Sequence, residues 1–335
     1  MKKTPYFGYL LSLVLPCIVI YSNFFAGYKL WPLFIVLLIY PLLDVLCGSD
    51  KSYNAEHASP AFFRHILHLH FVLQALVMAS LVYVIYHTHI GNFHWGTLTE
   101  AAVSAGLTSG IASIVIAHEL IHDPKKSNRL LGRILLWTVS YMHFETEHMK
   151  GHHKLVGTDE DPASAPASMS LYTFFVTTVP GQFLQSWRIE AKKAKSRFNH
   201  KAGRFLAVEI LTVLGFFLLF GLEGLYAFTI NCLIAVIILE YVNYIRHWGL
   251  RRDKNTKVGP EHSWQSNHRF SRYVLIELTR HPDHHMVASR PFQNLQPCEE
   301  SPSLPLGYFA TFYIAIIPPL WRRIMIKRLP ANMKV

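Results

Sequence analysis

The 335-residue chain is 51% hydrophobic, and only 16% of its residues are Asp, Glu, Lys or Arg, whereas soluble domains usually carry about 25% charge. This composition excludes an ordinary soluble protein, a disordered chain and a collagen-like repeat. The net charge is +11 and 20 residues are histidine, so the composition indicates a membrane protein rich in potential metal ligands.

Six apolar segments are long enough to cross a bilayer as helices, because a crossing needs about 20 mostly apolar residues. They cover residues 7–25, 30–47, 66–86, 98–120, 205–222 and 225–245. A further apolar stretch, 306–320, is short and contains Pro318 and Pro319. It therefore predicts an interfacial or buried helix rather than a seventh span.

The distribution of Lys and Arg predicts the orientation of these helices. With the N-terminus in the cytoplasm, all but one of the 32 basic residues lie inside, and the exception is Lys29. The positive-inside rule then places both termini in the cytoplasm, as in a bacterial-type inner membrane. The chain 1–335 is expected to form one membrane domain with two cytoplasmic segments, 121–204 and 246–335.

Nine of the 20 histidines fall in four short motifs on the predicted cytoplasmic side. H-E-L-I-H ends the fourth span, and its i, i+4 spacing puts both imidazoles on one helix face, where they can share a metal. The other motifs are E-H-M-K-G-H-H, N-Y-I-R-H-W-G and R-H-P-D-H-H. The nine residues are His118, His122, His148, His152, His153, His247, His281, His284 and His285. Because the side was assigned from Lys and Arg alone, their common location independently favours a metal centre.

Nine imidazoles exceed the needs of one metal, since a zinc ion takes four ligands in total. Two metals of coordination number five or six would use nine histidines and leave room for substrate or oxygen. Imidazole suits zinc, copper, iron and nickel, and spacing does not choose among them. His262 and His268 flank the motifs, and the sequence leaves their role open.

Four carboxylates lie within or beside the motifs: Glu119, Asp161, Glu240 and Asp283. A metal-bound histidine usually donates its other N–H to such a group, so we expect these side chains to orient the ligands. Solvation at a helix end is the alternative for each. Glu240 is favoured most, because it precedes His247 by seven residues and so lies two turns up the same helix face.

These motifs resemble those of the integral-membrane, non-haem di-iron alkane 1-monooxygenases and their xylene monooxygenase relatives. That family shows H-E-x-x-H, E-H-x-x-G-H-H, N-Y-x-x-H-Y-G and L-x-R-H-x-D-H-H, which match residues 118–122, 147–153, 243–249 and 278–285. Residues 159–165 and 262–268 also look like family segments, and the resemblance covers roughly 100–290. Ile121 stands where many alkane hydroxylases have Gly, and Trp248 replaces a Tyr. Neither change removes a ligand, but both leave the substrate less defined than the chemistry.

The resemblance implies an all-α membrane protein of the fatty-acid-desaturase-like superfamily, with six transmembrane helices and a cytoplasmic-side, His-rich di-metal site. The nine histidines of the motifs would hold two iron ions. The implied reaction is O2-dependent hydroxylation of a terminal methyl group of an alkane or similar apolar substrate. Electrons would come from a separate rubredoxin or ferredoxin with its reductase. The basic run from Lys192 to Arg204 is explained either as a docking surface for that carrier or as positive-inside anchoring.

Three other functions fit part of the sequence. The first is a related membrane di-iron fatty-acid or aryl-methyl hydroxylase or desaturase, although the boxes of the fatty-acid enzymes have different spacings. An intramembrane zinc protease would use H-E-L-I-H with Glu119 as general base, but it leaves seven histidines unexplained. A metal transporter needs polar ligands along a path near mid-membrane, whereas these gather at one end.

Overall fold

The computed structural model describes residues 6–53, 60–196 and 199–333, and these contain helices and no strand. In chain order the main helices are α1 (Phe7–Phe25), α2 (Trp31–Leu46), α3 (Pro60–His89), α4 (Trp95–His122) and α5 (Lys126–Trp137). They continue as α6 (144–155), α7 (Leu171–Ala191), α8 (Lys201–His247) and α9 (Arg269–Val274). The last are α10 (His281–Met286), α11 (Tyr308–Ala315) and α12 (Pro318–Met325). The predicted all-α class is confirmed.

Four of the described helices, α1, α3, α4 and α8, are long and apolar enough to cross a bilayer. The bent pair formed by α11 and α12 would add a fifth, and α2 is apolar but shorter. The chain is therefore a multi-pass membrane protein. Five of the six predicted apolar segments lie within α1, α3, α4 and α8, and the sixth, 30–47, exceeds α2 by one residue at each end. The number of spans and their sidedness stay predictions.

The long helix α8 folds back on itself at Gly221, whose φ of 61° and ψ of −145° lie in a region open mainly to glycine. The Phe216 and Phe228 rings stack with centroids 4.4 Å apart, although 12 residues of straight helix would separate them by about 18 Å. The segments predicted at 205–222 and 225–245 are thus the two limbs of one helical hairpin.

Helix α4 occupies the centre of the bundle and packs closely against the second limb of α8. A Cβ added to Gly106 would lie 2.7 Å from Ile234 Cβ, and one added to Gly110 would lie 2.8 Å from Ile238 Cβ. Small residues four apart allow helix backbones to approach in this way. This contact fixes where the H-E-L-I-H motif at the end of α4 emerges.

The apolar stretch 306–320 is broken at its prolines, as the sequence indicated. Helices α11 and α12 meet at an angle of 117°. The start of α11 is capped by the buried Asp44 carboxylate, which accepts hydrogen bonds from the backbone N–H groups of Phe309 (2.8 Å) and Ala310 (3.2 Å). The same carboxylate accepts from Ser271, so Asp44 ties α2, α9 and α11 together beneath the histidine motifs.

Candidate metal centre

The structure brings all nine predicted histidines together in two adjacent groups. Within each group, the candidate ligand atoms lie within 4.8 Å of one another. The first group contains His118, His122, His148, His153 and His284, and the second contains His152, His247, His281 and His285. The groups adjoin, since the rings of His153 and His285 have centroids 4.6 Å apart.

Chain neighbours contribute to different groups, which keeps the groups close together. His152 belongs to the second group and His153 to the first, and His284 and His285 divide in the same way. Helices α6 and α10 therefore each supply both groups. Helix α4 supplies only the first group, through His118 and His122, and α8 supplies only the second, through His247.

The nitrogen separations fit shared metal ions. In the first group, the Nε2 atom of His148 lies 3.1 Å from that of His122 and 3.0 Å from that of His153. In the second group, the Nε2 atoms of His281 and His285 are 2.8 Å apart. Two imidazoles bound at right angles to one ion, each at about 2.0–2.1 Å, would have nitrogens about 2.9 Å apart.

Three further Nε2 atoms, those of His118, His152 and His247, are buried without a hydrogen-bond partner. Buried polar atoms are rarely left unpaired, and those that are require an explanation such as an ion. The donor set of both groups therefore fits metal ions held by imidazoles.

Burial favours the neutral form of five cluster imidazoles that lie outside the membrane-spanning helices. It holds the pKa of His148, His153 and His284 well below the ordinary value, with neighbouring imidazoles adding to the effect. Burial also lowers the pKa of His281, and the charge of Arg246 lowers it further. Burial lowers the pKa of His285 in the same way, and neighbouring histidines add to the effect. Neutral imidazole is the form that binds metals.

Among the four predicted carboxylates, Asp161 contacts a candidate ligand directly. Its Oδ2 accepts a hydrogen bond from His152 Nδ1 at 2.9 Å and another from Ser164 Oγ at 2.6 Å. Its Oδ1 accepts from the backbone N–H of Ala163 at 3.1 Å. With its proton on Nδ1, His152 presents the lone pair of Nε2 to the second group.

Glu119 and Asp283 form no hydrogen bond to a candidate ligand and instead contact the polypeptide that surrounds the centre. Glu119 accepts a hydrogen bond from the backbone N–H of Phe292 at 3.0 Å. Asp283 pairs with Arg290 and accepts from the backbone N–H of Gln296 at 2.9 Å. Both carboxylates therefore pin the loop that follows α10 against the motifs.

Glu240 reaches the centre indirectly. Seven residues of helix span about 10.5 Å, which is too far for its carboxylate to touch the His247 imidazole. It accepts instead from Asn243 Nδ2 at 3.1 Å, while Asn243 Oδ1 accepts from Arg246 at 2.7 Å. Arg246 NH1 in turn lies 3.1 Å from His281 Nδ1. Glu240 thus anchors a polar chain that ends on a candidate ligand.

The two flanking histidines add no imidazole to either group. His262 contributes its backbone carbonyl, which accepts a hydrogen bond from His247 Nδ1 at 3.2 Å. Its own ring Nδ1 accepts from the backbone N–H of Gly259 at 2.8 Å. His268 Nδ1 lies 3.0 Å from Ser266 Oγ. His262 therefore orients a ligand through its main chain, a role that no side-chain motif signals.

Sequence reasoning also missed a buried ionic network behind the last motif. Glu277 accepts a hydrogen bond from Tyr9 OH at 2.8 Å and a bidentate pair from Arg272 at 2.7 and 2.9 Å. Arg280 Nε lies 3.3 Å from the same carboxylate. Since Arg280 directly precedes His281, this network holds the start of α10. No local pattern could reveal it, because Tyr9 and Glu277 are 268 residues apart.

Comparison with known proteins agrees with this geometry. The fatty acid desaturase family model matches residues 93–314. Alkane 1-monooxygenase 2 of Alcanivorax borkumensis is 33% identical, over 99% of this chain and 92% of its own length. Alkane 1-monooxygenase 1 of Pseudomonas aeruginosa is 34% identical, over 88% of this chain and 82% of its own. The chain belongs to the alkane 1-monooxygenase family.

A more distant relative is the xylene/toluene monooxygenase hydroxylase component of Pseudomonas putida, 26% identical over 95% of this chain and 87% of its own. Membership of the alkane 1-monooxygenase family makes the chain an oxidoreductase, and the grouped histidines make its centre a metal centre. A monooxygenase also implies an electron-transfer partner.

An apolar cavity of about 190 Å³ lies between α2, α4, α8 and α11. On α4 it is lined by Leu107, Gly110, Ile111 and Val115, which share one helix face. His118 follows Val115 by three residues on that same face. The cavity therefore ends at Val115, one helical turn before the candidate ligand His118.

Proposed function

We propose that this chain hydroxylates the terminal methyl group of an alkane or similar apolar substrate, using O2 and two iron ions. In the overall reaction, RH, O2, two electrons and two protons give ROH and water. One observation above all supports this proposal: two adjacent groups of imidazoles, seven of the nine buried, lie next to an apolar cavity that shares Val115 with a small void lined by His118 and His284. An unactivated C–H bond requires a metal-based oxidant, because no side chain is strong enough.

The two histidine groups would each hold one iron ion. The first group offers five imidazoles and the second four. When bound, iron supplies redox chemistry with O2 that imidazole ligands support. The chain's own residues set the protonation and position of two ligands: Asp161 fixes the His152 tautomer, and the His262 carbonyl does so for His247.

The apolar cavity would bind and orient the substrate. An apolar chain that partitions into the bilayer can enter between helices without crossing water. Ile237 and Tyr313 line the cavity, and each has more than a third of its surface exposed. These exposed surfaces would face lipid. Cavity walls with almost no polar lining exclude water from the path to the metals.

We infer that the protein lies in a bacterial-type inner membrane with both termini cytoplasmic, as one domain with six spans: α1 to α4 and the two limbs of α8. A separate rubredoxin or ferredoxin with its reductase would supply electrons. In the predicted basic run, Lys192, Lys193 and Lys195 are exposed, whereas Lys201 pairs with Glu145 at 2.9 Å and Arg197 lies outside the described residues. Arg204 at the end of the run is exposed as well, so both ends of the run are available to attract an acidic carrier.

The test combines metal content with turnover in detergent-purified protein. We expect about two irons per chain, and 1-octanol from n-octane when O2, NADH, a rubredoxin and its reductase are supplied. His284→Ala should lose iron and activity, whereas His268→Ala, whose ring lies outside both groups, should keep both. About one zinc per chain with no alkane oxidation would instead support a protease. Oxidation of fatty-acyl substrates but not alkanes would support the related hydroxylase or desaturase.

A further inference from the structure

The face of α4 that leads to the metal centre carries both the cavity and the first candidate ligand. Leu107, Gly110, Ile111 and Val115 line the cavity over two turns, and His118 begins the next turn. On α8 the lining runs in the same direction, from Ile234 to Val242. An apolar chain that lies in this cavity would therefore point one end at Val115.

Beyond Val115 the space narrows sharply. A second, much smaller void of about 10 Å³ adjoins His118, Glu119 and His284. Val115 lines both spaces, and Ile276 lines the smaller one while its neighbour Leu275 lines the larger. A void of this size has room for about one water molecule. Val115 therefore stands between the cavity and the metal centre, and Ile276 forms another wall of the small void beside it.

The backbone holds Ile276 in this position at a cost. Its φ is 41° and that of Glu277 is 62°, in the left-handed region that a β-branched residue rarely adopts. The turn is closed by a hydrogen bond from the Glu277 N–H to the Arg272 carbonyl at 2.8 Å. The Glu277 carboxylate is locked by Tyr9 and two arginines. Strain that the surrounding structure enforces tends to occur at functional sites.

We propose that Val115 and Ile276 form a constriction that admits only the end of an apolar chain and so determines terminal selectivity. This inference rests on the proposed function. A methyl terminus is the narrowest part of an n-alkane that can pass two branched side chains. An internal methylene would have to bring both of its flanking chain segments through the same gap. The two residues are specificity-determining, since they select which carbon reaches the metals without taking part in the chemistry.

The experiment measures the ratio of 1-octanol to 2-octanol formed from n-octane. Wild type should give 1-octanol almost alone, and Val115→Ala should lower the ratio at least tenfold, because the gap then admits a bent chain. Ile276→Val, which removes one methylene from the other wall, should change the ratio in the same direction by a smaller factor. If Val115→Ala does not retain iron, the octanol ratio of Ile276→Val tests the constriction in its place.

The matched control is Ile111→Ala, which enlarges the same cavity one turn farther from His118. It should leave the ratio unchanged and shift the preferred substrate toward longer n-alkanes. In metal-free protein, n-octane should raise the melting temperature of wild type and Val115→Ala alike, because binding along the outer cavity is retained.

Unchanged ratios in Val115→Ala and Ile276→Val would overturn the constriction, as would an equal change in Ile111→Ala. These outcomes differ from failure of the proposed function, in which wild type itself would oxidise no n-alkane.

Discussion

Asp161 offers a sharp test of how the protein supports its second histidine group. The carboxylate accepts two hydrogen bonds on Oδ2, from His152 and Ser164, and one on Oδ1, from the Ala163 N–H. All three partners are donors, and the side chain of Asp161 is fully buried. Asp161→Asn keeps the shape of the side chain but replaces one acceptor oxygen with an NH2 donor. The new NH2 group must then face the N–H of either His152 or Ala163, and two donors cannot hydrogen-bond to each other.

Either orientation of the new amide is unfavourable. If its NH2 faces Ala163, a buried donor loses its partner, which costs about 1–3 kcal/mol, and the bond to His152 loses its charge assistance. If its NH2 faces His152, the imidazole must carry its proton on Nε2, where a metal would bind. Changes to groups that orient metal ligands typically weaken metal affinity or activity 10–100-fold. We expect Asp161→Asn to weaken one of two iron sites by that factor.

The assay is iron titration of metal-free protein against a competing chelator, under anaerobic conditions. Wild type should bind about two irons tightly, and Asp161→Asn should bind one tightly and the second 10–100-fold more weakly. Asp283→Asn is the matched control, because Asp283 bonds to Arg290 and Gln296 and its iron affinities should change far less. Equal affinities in Asp161→Asn and wild type, or equal losses in both variants, would refute the assigned role of Asp161.

Three further predictions follow from the buried charges. Glu240→Gln should lower iron content or turnover, because it weakens the polar chain that ends on His281; unchanged values for both would exclude this role. Glu277→Gln should destabilise the protein by about 3–5 kcal/mol, since Arg272 and Arg280 lose their buried partner. It should therefore lower the melting temperature in detergent, while Glu223→Gln, in a partly exposed pair, should change it little. The melting temperature of metal-free protein should fall as the pH drops below about 6.5, because His148, His284 and His285 have lowered pKa values in the folded protein and the unfolded chain takes up protons first. A constant melting temperature down to pH 5 would contradict this.

The features that were predictable from sequence are those that a local pattern encodes. Apolar length predicts the helices, and motif spacing predicts all nine grouped histidines. Asp161 was predictable because it lies nine residues after His152, beside the second histidine motif. The fold-back of α8 was visible as two apolar segments around Gly221.

The supports that depend on tertiary packing were not predictable. The Tyr9–Glu277 contact joins α1 to the segment before α10, and the Asp44 cap joins α2 to α11. None of the three residues, Tyr9, Glu277 and Asp44, lies in a recognisable motif. The sequence placed Glu240 two turns before His247, but it did not indicate that Asn243 and Arg246 carry the contact from Glu240 toward the centre.

The division of ligands between the two groups depends on one local distortion. In a regular helix, residues four apart share a face, as His118 and His122 do in α4 and His281 and His285 do in α10. Regular spacing would likewise pair His148 with His152. The turn His148–His152 is instead a π-helix, whose hydrogen bonds join residues five apart. His148 therefore shares a group with His153, and His152 turns to the second group beside Asp161. The motif spacing thus predicts which residues gather at the centre, while the π-helical turn decides which group each one joins.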